Sequence, residues 1–162
     1  MSLQITVATI EDLPLLAPLF DGYRVFYEQA SDLVLAHRFL EQRIRQQESV
    51  IFLATESIDV SDTNRSETIG VGFVQLYPSF SSVSAQRLWI LNDLYVAPNA
   101  RRRGVAEALM NRARDFAAQD GAKGLFLETA HDNHGAQALY ESLGYRKNTE
   151  FYYFLATPAE VK

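Results

Sequence analysis

The order of elements along this chain predicts an α+β protein in α/β/α layers, with helices on both faces of a mixed, mostly antiparallel sheet. Residues 87–96 (RLWILNDLYV) are apolar on both faces, as expected of a central strand that is covered on both sides. Apolar residues then recur at helical spacing over 103–118, and a further buried strand is predicted over 124–130. These three segments form an α/β unit, and the hairpins predicted around it make the sheet mixed.

A short strand and two helices are predicted before the sheet. Residues 3–8 alternate apolar and polar, which predicts a half-buried strand. Thr9 then has the character of a helix N-cap, with Asp12 in a capping-box position. Pro18 predicts a kink or an interruption in the helix that follows. Residues 31–32 (Ser-Asp) open a second helix.

Two strands, 50–54 and 68–76, are predicted between these helices and the central strand. The segment 58–67 (IDVSDTNRSE) is polar and turn-rich, which predicts a mobile hairpin loop. The serine-rich segment 78–86 predicts a second connection. The sequence therefore predicts short strands separated by polar loops through the middle of the chain.

The end of the chain predicts one more helix and two aromatic strands. Apolar residues at helical spacing from Ala136 to Leu143 predict the helix, and Gly144 ends it at the C′ position. Strands are predicted over 145–147 and 150–156. The second of these (EFYYFLA) is suited to edge pairing in a homodimer.

Composition restricts the class of protein. The 162 residues favour a single domain over 1–162. The net charge of −5 provides no global basic surface for nucleic acid. The chain contains no cysteine, which excludes disulfides and thiolate zinc sites, and its three histidines do not suggest a metal site. Apolar stretches are too short to span a membrane, so we expect a cytoplasmic protein without membrane or nucleic-acid partners.

An anion site is predicted where the central strand ends. A turn with Pro98 and Asn99 follows Val96, and three arginines with Gly104 then open a helix. Backbone N–H groups at a helix start lack intrahelical partners and carry partial positive charge, which favours phosphate. A solvated arginine cluster on a helix start is the alternative interpretation.

Two motifs, taken together, resemble a known family. The pattern R-x-x-G-x-A over residues 101–106 resembles the acetyl-CoA signature of the GNAT superfamily of N-acetyltransferases. The pattern N-x-x-A-x-x-L-Y-E-x-L-G-Y over residues 133–145 is similar to the second motif of that family. The resemblance implies the acyl-CoA N-acyltransferase fold, with acetyl-CoA as cosubstrate and no metal.

The resemblance also implies where acetyl-CoA binds. Strand-end backbone groups would contact the pantetheine arm, helix-start amides would hold the pyrophosphate, and an asparagine and a tyrosine of the second motif would contact the arm and the thioester sulfur. The residues at these positions, in chain order, are Leu94, Tyr95, Val96, Arg101, Arg102, Arg103, Gly104, Val105, Ala106, Asn133 and Tyr140.

Catalysis requires a proton donor and a proton acceptor. By the resemblance, Tyr140 protonates the departing thiolate; core packing is the alternative for this tyrosine. A phenol pKa of about 10 suits donation to a thiolate of pKa roughly 8–9. Asp93 and Glu128 stand in apolar strands, where a carboxylate can have a raised pKa and act as the base. The alternatives are a hydrogen-bonded strand-end group for Asp93 and a salt bridge to an arginine for Glu128.

We therefore expect acetyl transfer from acetyl-CoA to a primary amine by direct attack in a ternary complex. The amine is a small molecule, an amino acid, a polyamine or a lysine side chain of a peptide. A non-catalytic CoA-binding module and transfer of a longer acyl group are the alternatives. Residues 76–82 (LYPSFSS) resemble a branch with yeast enzymes that act on histones, polyamines and D-amino acids. An aromatic set is expected to line the acceptor pocket: Tyr23, Phe26, Tyr27, Tyr77 and Phe80.

Overall fold

The structure is a computed structural model that describes residues 2–60 and 65–156. It divides into two compact units, Met1–Glu128 and Thr129–Lys162. In the described residues, no helix is both long enough and apolar enough to cross a membrane.

The first unit is a five-stranded mixed sheet with three α-helices. The sheet order is β1-β2-β3-β4-β5; neighbouring strands are antiparallel except that β5 runs parallel to β4. This confirms the predicted α+β class. The elements in chain order are β1 (Leu3–Val7), α1 (Leu13–Phe26), α2 (Leu33–Arg45), β2 (Val50–Val60), β3 (Arg65–Ser81), β4 (Gln86–Val96), α3 (Val105–Gln119) and β5 (Gly124–Phe126).

Helices cover both faces of this sheet, as the apolar character of the central strand predicts. Leu53 of β2 is buried in a core that includes Leu16 of α1 and Leu40 of α2. Its neighbour Phe52 points to the other face, where its ring lies 5.5 Å from the ring of Phe116 on α3. The sheet therefore separates α1 and α2 from α3.

The N-terminal helices follow their predicted caps, but the proline prediction is partly wrong. Asp32 caps α2 by accepting a hydrogen bond from Leu35 N–H at 2.9 Å. Thr9 N–H donates to Asp12 Oδ2 at 2.7 Å, ahead of a helix that runs unbroken through Pro18. Pro18 removes a single backbone donor near the start of α1. Burial of Leu16, Ala17, Leu19 and Phe20 on either side keeps the helix continuous.

The strands of the two hairpins are longer than predicted. The ladder between β2 and β3 continues to Val60 and Arg65, through most of the segment predicted as a loop; the remaining tip, residues 61–64, lies outside the described residues. The serine-rich segment is also strand as far as Ser81. These polar stretches are held in the sheet by backbone hydrogen bonds. Because such bonds require no hydrophobic side chains, the sequence pattern does not reveal these parts of the strands.

The predicted strand over 124–130 is shorter, because only Gly124–Phe126 pairs with β4. The second unit contains α4 (His134–Ser142), which ends as predicted. Tyr145 N–H donates to Tyr140 C=O at 3.0 Å, while Gly144 has φ 91°. The aromatic strands predicted over 145–147 and 150–156 are wrong: these residues form no ladder. An aromatic run favours extended backbone, but a strand also requires a partner.

Candidate active site

Strand β4 is bulged and loses its partner on one side. Gln75 of β3 is opposite Asp93, but Leu76 is opposite Leu91, so Asn92 is an extra residue in β4. On the other edge, β5 pairs with β4 only from Leu88 to Ile90. Beyond Ile90 this edge has no strand partner in the described part of the chain.

Alternation along β4 determines which backbone groups face the open edge. Ala97 N–H donates to Val71 C=O of β3 at 2.9 Å. Because consecutive residues direct their backbone groups to opposite edges, those of Tyr95 also point to β3. The backbone groups of Leu94 and Val96 therefore point to the open edge, where a ligand can take the place of a strand.

The loop between β4 and α3, where the sequence predicts an anion site, contains two residues with positive φ. Arg102 has φ 60° and Gly104 has φ 79°, so two of its residues are in the left-handed region. A Cβ added at Gly104 would meet nothing within 4 Å, so the space in front of the helix start is open. Ala108 N–H is bonded to Gly104 C=O at 3.0 Å, and the amides that precede Ala108 in the first turn have no such intrahelical partner.

Two of the three arginine side chains contact the protein in ways that fix this loop. Arg103 Nη2 lies 2.6 Å from Oε1 of Glu56, a carboxylate that is 5% exposed on β2. Arg101 Nε donates to Val96 C=O at 3.0 Å, and its guanidinium lies 5.7 Å from the Tyr95 ring centroid.

A pocket of about 400 Å³ lies on the α1 and α2 side of the sheet. Of the aromatic residues predicted to line it, Tyr23 and Tyr77 do so, whereas Phe26, Tyr27 and Phe80 are exposed and are not part of its wall. Those three lie at the end of α1 and at the far end of β3, beyond the pocket. The wall is formed by Phe20, Tyr23, Arg24, Leu35, Phe39, Tyr77, Asn92 and Asp93.

Asp93 is the buried acid of this pocket, with 2% of its surface exposed. Asn92 Nδ2 donates to its Oδ1 at 2.7 Å, and Gln75 Nε2 donates to its Oδ2. Burial raises the pKa of Asp93, and the hydrogen bonds from Gln75 and Asn92 oppose that rise. A carboxylate with a raised pKa is a better proton acceptor at neutral pH than an exposed one.

The two tyrosines of the pocket remain protonated. Burial raises the pKa of Tyr77 to about 12, and the negative charge of Asp93 adds to the rise. Burial and Asp93 also raise the pKa of Tyr23, whose hydroxyl donates to Asn92 C=O at 3.4 Å. Both phenols can therefore act only as hydrogen-bond donors or acceptors at neutral pH.

Gln75 and Arg24 are among the residues of this region that the sequence predictions do not include. Gln75 is fully buried within the apolar run VGFVQLY, a position that could have identified it. Arg24 follows Phe20 by one helical turn, so it shares the apolar face of α1.

Glu128 differs from its prediction. It is exposed and lies beyond the end of β5, so it lacks the apolar surroundings expected for a buried strand. No ion pair to an arginine is found for it within residues 2–60 and 65–156. Across the same residues, no group of three or more His, Asp or Glu side chains could hold a metal ion.

Within the second unit, the two motif residues have clear local roles. Asn133 is the N-cap of α4, and its Oδ1 accepts a hydrogen bond from Ala136 N–H at 3.3 Å. Tyr140 is partly buried on α4, with its ring centroid 6.1 Å from that of Tyr145. The contacts of both residues with a cosubstrate stay predictions.

Comparison with known proteins gives a consistent picture. Residues 18–145 match the model of the acetyltransferase (GNAT) family. An uncharacterized N-acetyltransferase of Bacillus subtilis, YhfO, is 46% identical over 98% of this chain and all of its own length. The D-amino-acid N-acetyltransferase HPA3 of Saccharomyces cerevisiae is 31% identical over 51% of each chain. The crystal structure of a probable acetyltransferase has a TM-score of 0.80 and 43% identity, covering 97% of this chain and 99% of its own.

Proposed function

Because this chain belongs to the GNAT acetyltransferase family, and is thereby an acetyl-CoA-dependent acyltransferase, we propose that it acetylates a primary amine bound beside Asp93. The supporting observation is the position of Asp93, a buried carboxyl in the pocket wall and the direct neighbour of Leu94 in β4. Leu94 turns its backbone to the open edge of that strand. An amine in the pocket and a thioester along the edge would therefore lie next to each other.

The residues present fit acetyl-CoA as the cosubstrate. The backbone groups of Leu94 and the N–H of Val96, whose C=O accepts from Arg101, suit the amide-bearing pantetheine arm. The loop and helix start at 101–106 suit its pyrophosphate, because Gly104 leaves open space and the first-turn amides carry partial positive charge. The arginines offset the net charge of −5 near an anionic ligand.

Protons move at two atoms of this chain. A primary amine has a pKa of about 10.4 and arrives as an ammonium ion, so Asp93 accepts a proton from it, directly or through one water. The nitrogen lone pair then forms the C–N bond with the thioester carbonyl carbon. Leu94 N–H, on the open edge, can stabilise the charge on the carbonyl oxygen, a contribution of about 3–4 kcal/mol. As the C–S bond breaks, Tyr140 donates its phenolic proton to sulfur, and the second proton that the nitrogen loses as the amide forms restores the phenol.

We assign the base to Asp93 in preference to Glu128. Asp93 is buried in the pocket and accepts hydrogen bonds from the side-chain amides of Gln75 and Asn92, whereas Glu128 is exposed after β5. We also propose that residues 1–162 form a single domain, since the family match at 18–145 spans parts of both units.

The test is CoA release, followed with a thiol reagent, from acetyl-CoA with polyamines, amino acids, aminoglycosides and peptides. We expect amine-dependent release by the wild type and a loss of about 10²-fold in kcat/KM for Asp93→Asn at pH 7. Asp115→Asn makes the same change at an exposed site on α3 and is the control. An unaltered kcat/KM in Asp93→Asn would exclude Asp93 as the base. If no amine gives CoA release, the proposed reaction itself is contradicted.

A further inference from the structure

Arg24 presents an unsatisfied charged donor at the acceptor pocket. It lies on α1 and forms part of the pocket wall. Its Nη1 is buried and has no hydrogen-bond partner among the residues that the structure describes. A guanidinium remains charged at any physiological pH, and a buried donor without a partner destabilises the protein. An anionic ligand in the pocket would supply the acceptor that this donor lacks.

Neighbouring groups do not supply that acceptor. Asp21, one turn earlier on α1, accepts from Ser31 Oγ at 2.6 Å and from Asp32 N–H at 2.7 Å. The other arginine near the pocket, Arg43, stacks over the ring of Phe39 and has its own carboxylate, with 2.7 Å between Nε and Glu48 Oε2. Among residues 2–60 and 65–156, Arg24 therefore differs from Arg43 in having no ion pair to a carboxylate.

The same pocket holds one acid and an apolar lining. Asp93 is the acid, and Phe20, Leu35 and Phe39 supply apolar wall. A ligand that complements these features carries a cation, an anion and an apolar group. The planar fork of an arginine matches a carboxylate with two parallel N–H···O bonds.

We propose that the acceptor is an amine that also bears a carboxylate, namely an amino acid with an apolar side chain, and that Arg24 binds this carboxylate. The inference rests on the proposed acetyl transfer and names its substrate class. The volume of about 400 Å³ lies within the range of small-ligand pockets. Polyamines, which carry no carboxylate, are disfavoured by Arg24.

Binding measurements test this independently of turnover. Phenylalanine and leucine, each as L and D enantiomers, are titrated into the full chain by calorimetry, alongside their carboxamides, which keep the amine and the side chain. We expect at least one acid to bind about tenfold or more tightly than its amide, as a charge-assisted pair implies. Arg24→Gln is expected to abolish this ratio and Arg24→Lys to retain part of it. Arg38→Gln, an exposed arginine on α2, is expected to leave the ratio unchanged.

The outcomes separate the two proposals. No preference for any acid over its amide in the wild type, or a preference that survives Arg24→Gln, overturns the role of Arg24. Thermal unfolding shows whether Arg24→Gln is folded, and Arg24→Lys is the second variant if it is not. If acids bind through Arg24 but no CoA is released with any amine, the carboxylate site stands and the acetyl transfer fails.

Discussion

Gln75 lies directly opposite Asp93 across the β3–β4 ladder, and its side-chain amide donates a hydrogen bond to the Asp93 carboxylate. Both residues are almost completely buried. Because the donor stabilises the charged form, it limits how far burial raises the pKa of Asp93. The pair therefore sets the pH at which Asp93 can accept a proton.

Replacing Gln75 with Leu should shift the pH dependence of the reaction. Loss of the donor raises the pKa of Asp93 further, so the acidic limb of kcat/KM should move to higher pH. Gln42→Leu on the exposed face of α2 is the matched control and should leave the limb in place. A uniform fall in activity at every pH would mean that Gln75 only supports packing.

The buried Asp93 should also make stability depend on pH. Its pKa is raised in the folded protein above the ordinary 3.8, so the folded state disfavours the ionised form. That cost is absent below pH 3.8 and grows as pH rises through the folded-state pKa. The stability of Asp93→Asn relative to wild type should therefore increase with pH. Urea unfolding of both proteins at several pH values from 4 to 8 measures the difference in their free energies of unfolding. A difference that does not change with pH would contradict the burial argument.

Gly104 and Gly121 allow backbone strain to be separated from ligand clearance. Both have positive φ, 79° and 71°, and an added Cβ meets nothing within 4 Å at either site. Alanine at each should therefore cost a similar amount of stability, about 1–2 kcal/mol. Only Gly104→Ala should raise the KM for acetyl-CoA, since Gly121 ends α3 away from the loop. Equal KM values for the two variants would argue against an anion site at residues 101–106.

Glu56 should act on acetyl-CoA through Arg103. Its buried carboxylate holds the arginine at 2.6 Å, so Glu56→Gln weakens the anchor of the loop without touching the amine pocket. We expect the KM for acetyl-CoA to rise about fivefold to tenfold, which corresponds to roughly 1 kcal/mol. Glu41→Gln removes a more exposed ion pair to Arg45 and serves as the control. If the amine KM rises instead, the loop is not the part of the site that Glu56 supports.

The local signals of the sequence predicted much of this fold. The cap at Asp32 and the helix end at Gly144 follow from a few neighbouring residues, and both are observed. Asp93 was identifiable because a single acid in an apolar strand is unusual. Features that depend on a pairing strand elsewhere in the chain were harder to predict from the sequence. The strands after Ala54 and before Thr68 are held by backbone pairing, and the run 150–156 has strand composition without a ladder.

The relation between Gln75 and Asp93 could not be read from the sequence, because it depends on register. The extra residue Asn92 shifts the pairing by one position, so that Gln75 is opposite Asp93 while Leu76 is opposite Leu91. The buried Nη1 of Arg24, which has no hydrogen-bond partner among the described residues, is likewise visible only when α1, α2 and the sheet are assembled around one pocket.

The predicted proton donor allows a test within a single motif. If Tyr140 protonates the departing sulfur, Tyr140→Phe should lower kcat by about 10²-fold with little change in acetyl-CoA binding, since only the hydroxyl is lost. Tyr145, whose ring centroid is 6.1 Å from that of Tyr140, is the matched control, because the same change there also removes only a phenolic hydroxyl. Tyr145→Phe should therefore keep kcat within about twofold. Equal kcat values for Tyr140→Phe and wild type would mean that water or another group protonates the sulfur. The Tyr140 ring would then serve only in packing, a role that phenylalanine retains.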